Sequence, residues 1–398
     1  MYREVEAGAP GQAIDRGGRP AARWVLPALI VIATGALTSA TLAPVLVGLY
    51  VDQLRLSAAQ ASLAVGAENL AYAGGLLLFY LALHRLPRPQ LAAFGLGVMI
   101  VASLLTAHAH GFWALIAIRT LFGVALGLAS STVFAAFAGR PDPQRVWALA
   151  TFVNLAYAAA LLSASGWISE RFGLAGITAI LAGVSVIGLT CIPALATGTP
   201  AKAAPPKAPP GAALTRSIPA ACGVLALFCL YAGHTTLWSF QERMGVSVGL
   251  SRTQVGLLLG ISILGAIVGS LTALFLGGRL GRIGPSTVSY IGLIASALLL
   301  ASPDPKAYAA GAIIIKTAWF FGLPFILGAV ARLDQTGRWS SLAAAMLALG
   351  SAVGPTAAAP IAQFGMAGIV FLAIGFYGLS FLFALPLLRA DRLTSAAP

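Results

Sequence analysis

Long apolar stretches without a single Asp, Glu, Lys or Arg dominate the chain. Residues 24–51, 89–118, 172–201, 217–241, 253–278, 283–303 and 339–388 are of this kind. A bilayer-spanning helix needs about 20 mainly apolar residues. Each run is therefore long enough to cross, and the last long enough to cross twice with a turn near Gly365. Turn residues and isolated charges divide the sequence into twelve predicted spans: 25–49, 58–83, 90–107, 112–138, 147–168, 174–197, 217–240, 253–277, 285–302, 307–331, 339–362 and 366–388. The runs are continuous rather than short and alternating, which excludes a transmembrane barrel. The predicted fold class is all-α, a polytopic membrane protein of twelve helices.

The one long polar stretch, 198–216, holds five prolines and no hydrophobic periodicity. Such composition makes a semi-extended linker rather than a domain. The expected organisation is a tail at 1–23, a six-helix bundle at 24–197, the linker, a second six-helix bundle at 217–388 and a tail at 389–398. The two bundles repeat one another. At an offset of 194, Leu56-Ser57 and Gln60 fall on Leu250-Ser251 and Gln254, Gly66 on Gly260, Gly75 on Gly269, and Arg85-Leu86 with Arg88 on Arg279-Leu280 with Arg282. At an offset of 192, Phe172-Gly173 falls on Phe364-Gly365 and Ala175-Gly176-Ile177 on Ala367-Gly368-Ile369.

Composition sharpens the class. Hydrophobic residues make up 59% and charged residues 9% of the 398, against about 25% charged in soluble domains. A water-soluble enzyme and a disordered chain are both excluded. The net charge of +13 would suggest nucleic acid in a soluble protein; its placement points instead to topology. With both termini in the cytoplasm, 17 of the 24 Lys and Arg fall on cytoplasmic segments and five on outer ones. The positive-inside rule thus puts both termini inside, in a cell inner membrane. Trp24, Trp113, Trp147, Trp167, Trp238 and Trp339 fall at predicted helix ends, where amphipathic rings suit the interface. Cys191, Cys222 and Cys229 lie in apolar runs without pairing or metal spacing and read as small buried residues. The charged N-terminal region has no short apolar run with a cleavage site, so no removable signal peptide is expected there.

Parallel six-helix halves joined by a linker are the arrangement of major facilitator transporters, and the chain resembles that superfamily over nearly its whole length. The family carries a Gly-x-x-x-Asp-Arg-x-Gly-Arg-Arg motif between helices 2 and 3 and a weaker copy between helices 8 and 9. Here those places read His84-Arg85-Leu86-Pro87-Arg88 and Gly278-Arg279-Leu280-Gly281-Arg282. The arginines Arg85, Arg88, Arg279 and Arg282 match as gating-loop residues, while His84 and Gly278 replace the family's Asp. On helix 4, Arg119 followed by Gly123 and Gly127 resembles a further family pattern. The Gly-x-x-x-Gly-Pro of antiporters is missing from helix 5 and stands on helix 11 as Gly350 to Pro355. The resemblance implies a transporter that alternates access around a cavity lined by helices 1, 4, 7 and 10.

A charge in the bilayer core costs at least ~2.5–3.5 kcal/mol on insertion scales. The remaining two basic residues, Arg119 and Lys316, and one acid, Glu68, lie about 10–15 Å into their helices at 1.5 Å per residue. With Arg119-Thr120 and Lys316-Thr317 similarly placed in their halves, the two cations are expected to face one cavity as an anion site, Arg as a planar fork and Lys as a point charge. The alternative is an Arg119–Glu68 ion pair with a structural role. Even then the three charges sum to +1, which favours an anionic substrate. Glu68 and His234 are the candidates for proton coupling. Trp319, three residues after Lys316, Tyr231, three before His234, and Asn154 complete the expected binding residues; Tyr72 is a weaker candidate. His108 and His110 read as solvated loop residues.

No phosphate loop, metal cluster or nucleophile–base set accompanies these residues. An ATP-driven pump, an enzyme and a resident cofactor are therefore not expected. The expected function is secondary transport of a small organic anion, a carboxylate above all, by a monomer whose partners are its substrate, protons and the bilayer, with no nucleic acid. Proton-driven efflux of hydrophobic compounds is the alternative, and a receptor or intramembrane enzyme the alternative class.

Overall fold

A computed structural model describes residues 22–82, 87–140, 142–196, 214–276, 281–334 and 338–395. The described residues form helices α1 (Ala22–Ala36), α2 (Thr38–Thr41), α3 (Ala43–Asp52), α4 (Ala58–Ala82), α5 (Arg88–Ala107), α6 (Phe112–Ala138), α7 (Pro143–Thr190), α8 (Pro193–Ala196), α9 (Leu214–Ser247), α10 (Arg252–Leu276), α11 (Ile283–Leu300), α12 (Pro305–Leu333), α13 (Arg338–Ile361), a 3-10 turn (Ala362–Phe364) and α14 (Gly365–Ser395). No strand occurs among them. Nine stretches of these helices are long and apolar enough to cross a membrane, and two of the nine, at 46 and 49 residues, have twice the length of one crossing. Large apolar side chains stand exposed around the bundle, as at Trp113, Leu274 and Phe275. In water such a surface would aggregate; against lipid it is the solvated face.

The expected fifth and sixth spans form the single long α7, interrupted at Gly173 by a left-handed backbone of φ 60°. Its repeat partner Gly365 has φ 75° and opens α14. A left-handed conformation suits glycine because there is no Cβ to clash. The first span, expected as one helix, is three: α1, α2 and α3, with Leu37 and Leu42 between them. Pro44 sits in the first turn of α3, where its missing N–H is tolerated and the preceding helix cannot continue through it.

The repeat seen in sequence has a structural meaning at each position. Ser57 and Gln60 cap α4 reciprocally, Ser57 N–H to Gln60 Oε1 at 3.0 Å and Gln60 N–H to Ser57 Oγ at 3.1 Å. Ser251 and Gln254 do the same for α10, at 2.9 and 3.2 Å. This is a capping box, which satisfies amide groups left over at a helix start. Gly75 lets α4 lie against the backbone of α6, and Gly269 lets α10 lie against that of α12. Gly66 and Gly260 work between the halves: Gly66 of α4 faces Thr356 and Ala352 of α13, and Gly260 of α10 faces Ser163 and Ala159 of α7. A Cβ at any of the four would collide with its neighbour.

The halves, α1–α8 and α9–α14, therefore meet along two equivalent seams, α4 with α13 and α7 with α10, and along α3 with α9. The end of the bundle at which α3 and α9 finish, here called the far end, carries close contacts across the halves. Asn69 and Ser351 mark how deep the α4–α13 seam runs toward the middle. Pro355 explains that contact. Proline supplies no N–H to the carbonyl four residues before it, so Ser351 O is free within α13, and Asn69 Nδ2 donates to it at 2.9 Å.

Candidate functional site

Two buried clusters sit side by side at the middle of the bundle, one in each half. In the first, Arg119 of α6 is completely buried and its Nε donates to Glu68 Oε2 of α4 at 2.9 Å. Its Nη2 donates to the same carboxylate oxygen and to Ser39 Oγ of α2, the latter at 2.7 Å. Ser39 Oγ in turn donates to Glu68 Oε1 at 2.5 Å. Both oxygens of Glu68 are thus engaged. The guanidinium carbon lies 4.3 Å from the Phe122 ring centroid, a further favourable contact for a cation. Gly123 brings α4 and α6 this close, since a Cβ there would run into the Glu68 carbonyl. Nη1 of Arg119 keeps no hydrogen-bond partner among the described residues.

The second cluster holds Lys316 of α12. Its ammonium lies 3.4 Å from His234 Nε2 and 3.5 Å from the centroid of the Trp238 ring, both on α9. The His234 and Trp238 rings are nearly parallel, 8° apart, with centroids 6.5 Å from each other. The ammonium accordingly contacts both rings of this pair. His234 stacks on Trp319 at 4.1 Å, and the Tyr231 ring meets Trp319 edge-on at 5.2 Å. Positions 231, 234 and 238 on α9, and 316 and 319 on α12, are three or four residues apart, so each helix turns one face to the cage. No carboxylate among the described residues pairs with Lys316. His234 Nδ1 is buried without a partner.

Pro44 links the clusters. It offers no N–H to the carbonyl of Ala40, and Trp238 Nε1 donates to that carbonyl at 2.9 Å. The wall of the lysine cage is thereby fastened to the residue next to Ser39. Trp238 was expected in the membrane interface. It is instead 8% exposed, because α9 continues past the expected end of its span to Ser247 and carries the ring into the seam between halves.

Of the other expected residues, Asn154 is half-buried on α7 and its Oδ1 has no hydrogen-bond partner among the described residues. Arg88 opens α5, and Arg282 precedes α11 with its guanidinium against Gly328 of α12. Arg85 and Arg279 lie outside the described residues. Arg119 and Lys316, expected to face one cavity, lie in separate clusters of side chains. Arg119 is enclosed with Glu68, and Lys316 has no counter-charge among the described residues.

Sequence reading did not single out the polar clasp at the far end. Asp52 of α3 pairs through Oδ1 with Arg243 Nη1 of α9 at 2.6 Å and through Oδ2 with Arg252 Nη2 of α10. Arg252 Nε also reaches Glu242 Oε1 of α9 at 3.2 Å. Glu170 of α7 accepts from Thr253 N at 3.0 Å and from Thr253 Oγ1 at 2.6 Å. The clasp thus ties the first half to the second. Glu242 lies just past the predicted span 217–240, and its acidic character beside an apolar run is the one signal that marks it in the sequence. Ser39 gave no signal, since a serine in an apolar run is common.

Helices apolar on all faces, two repeated halves and midplane charges define a multi-pass membrane transporter. The sequence profile of the Major Facilitator Superfamily matches residues 28–328, and the chain belongs to that family. Among solved structures, nucleoside transporter NupG shares 14% identity, with 92% of this chain and 99% of that one covered at a TM-score of 0.69. Peptide transporter POT in complex with alafosfalin shares 13%, covering 93% and 95% at 0.71. A bacterial homologue of the human lysosomal transporter Spinster, inward-facing and unoccupied, shares 16%, covering 94% and 98% at 0.63. At these identities the likeness is one of fold. A search of curated proteins finds no match.

Proposed function

We propose that the protein is a secondary transporter of a small organic anion, a carboxylate, working by alternating access with both termini in the cytoplasm of a cell inner membrane. The observation that carries this reading is Lys316, a cation 7% exposed at the middle of the bundle with aromatic and imidazole neighbours and no carboxylate partner among the described residues. A buried charge without a counter-ion is costly, and an arriving anion would supply one. Arg119 and Glu68 cancel one another, which leaves the positive charge of Lys316 uncompensated among the described residues of the midplane. In this reading Lys316 holds the carboxylate, Trp319 and Tyr231 contact the apolar body of the substrate, and Asn154 offers a hydrogen bond from the opposite half. Arg119 positions α2 and α4 around the site. Glu68 and His234 are the midplane groups that could exchange a proton with the transport cycle.

Uptake of labelled mono- and dicarboxylates into liposomes containing the purified chain tests the reading. Lys316→Ala is expected to abolish uptake while leaving the fold intact, with thermal unfolding of the purified variant as the control. Full uptake by that variant would overturn the assignment. The aromatic cage also suits a flat hydrophobic compound, which is the observation favouring proton-driven efflux. That reading predicts an export activity that survives loss of Lys316. Retention of uptake by Glu68→Gln with its pH dependence gone would assign proton coupling to Glu68.

A further inference from the structure

Glu242 is buried at the joint between the two halves, and its surroundings are uneven. Its side chain is 3% exposed, whereas Asp52 is 39%, Arg243 27% and Arg252 18% exposed. Asp52 takes both guanidinium groups of the clasp. Glu242 is left with the Arg252 Nε at 3.2 Å, and neither of its oxygens receives a hydrogen bond. The carboxylate lies directly against Gly48 of α3, where a Cβ would overlap it. Its closest neighbour across the seam is therefore a glycine backbone of the other half. The charged and titratable groups around it are Asp52 from α3, Arg252 from α10, Tyr308 from α12 and Arg243 on its own helix.

We infer that Glu242 is a proton-binding site filled when the far end of the transporter closes. Two states of the clasp differ in what Glu242 has. When the halves part at the far end, Asp52 leaves with the first half, water reaches Glu242, and Arg252 is free to pair with it; the carboxylate is then comfortably ionised. When the halves close, Asp52 draws Arg243 and Arg252 to itself and Gly48 covers the carboxylate. An ionised carboxylate lacking hydrogen bonds in such a place is heavily penalised, and a neutral carboxyl group is not. The extra positive charge this leaves on the clasp sits on Arg243 and Arg252, which keep contact with water while Glu242 does not, so solvent weakens their charge interactions. One proton passes from the solution at the far end to the carboxylate on closing and returns to it on opening. Because the proton binds the closed state better, acid shifts the population toward closure. The inference needs the alternation of two states but not the identity of the substrate.

The distance between the halves at the far end tests it without any substrate. Spin labels at His110→Cys and Lys306→Cys, in a full-length background with Cys191, Cys222 and Cys229 replaced by serine, report that distance by double electron–electron resonance in liposomes. Lowering the pH from mildly alkaline to mildly acid is expected to raise the short-distance population of the parent protein. Glu242→Gln, neutral at every pH, is expected to hold the short-distance population high throughout, and Glu242→Asp to restore the titration. Gly48→Ala places a methyl group on the carboxylate and is expected to favour the long distance; adding Glu242→Ala removes the collision and is expected to bring back the short one. A Glu242→Gln protein that still titrates as the parent does would overturn the inference, as would Gly48→Ala behaving like the parent. Failure of anion uptake in the assay above would leave this measurement untouched.

Discussion

Arg119 and Lys316 stand at similar places in the two halves and are satisfied in opposite ways. Arg119 is held by a carboxylate, a hydroxyl and a ring, and its planar fork reaches the carboxylate through Nε and Nη2 together. Lys316 is held by two rings, with no negative charge beside it among the described residues. The difference predicts different mutants. Glu68→Gln should destabilise the protein, since removing one member of a buried pair costs about 3–5 kcal/mol. Replacing both Arg119 and Glu68 by leucine should cost less than the Glu68→Gln change alone. Thermal unfolding in detergent across the set would show whether the two changes compensate. The sequence revealed that these charges lie in the membrane and that an Arg119–Glu68 pair was one option. It could not reveal Ser39 or Trp238 as partners, because both stand far from these charges in sequence and meet them through packing.

At the scale of elements, the repeated residues do repeated work. The Ser-x-x-Gln boxes cap α4 and α10 alike, and the left-handed glycines 173 and 365 stand at equivalent breaks, one within α7 and one at the start of α14. Ser57→Ala and Ser251→Ala are expected to cost about 0.5–2 kcal/mol each, as helix N-caps do, with nearly additive loss in the double mutant because the sites are in different halves. Unfolding midpoints of the three variants check this. Prolines act less obviously. Pro44 and Pro355 each free a carbonyl, and in both cases a side chain from the other half occupies it, Trp238 on Ala40 and Asn69 on Ser351. A helix-breaking residue in sequence predicts a bend; that the freed carbonyl fastens two halves together depends on what packs opposite.

For the whole molecule, the seams α4–α13 and α7–α10 are related by the same exchange that relates the halves. Glycine at 66 and 260 allows the two seams to close. Gly260→Val would drive a side chain into Ser163 and the Ala159 carbonyl, so the far end should close less well. Thiol labelling of a cysteine placed near the far end of α10, such as Leu258→Cys, is expected to speed up in that variant and to be slow in the parent. An unchanged labelling rate would show that the seam opens without involving Gly260.

What the sequence determined by itself was the membrane class, the all-helical fold, the internal repeat and the three charged residues that the bilayer should reject. These follow from hydrophobicity, turn chemistry and spacing, which act along the chain and are visible in it. Tertiary structure alone decided which charge is neutralised, which proline carbonyl is taken and where Glu242 is buried. Those outcomes depend on residues many positions apart arriving at one place, and the energy of a buried charge is set by its neighbours in space.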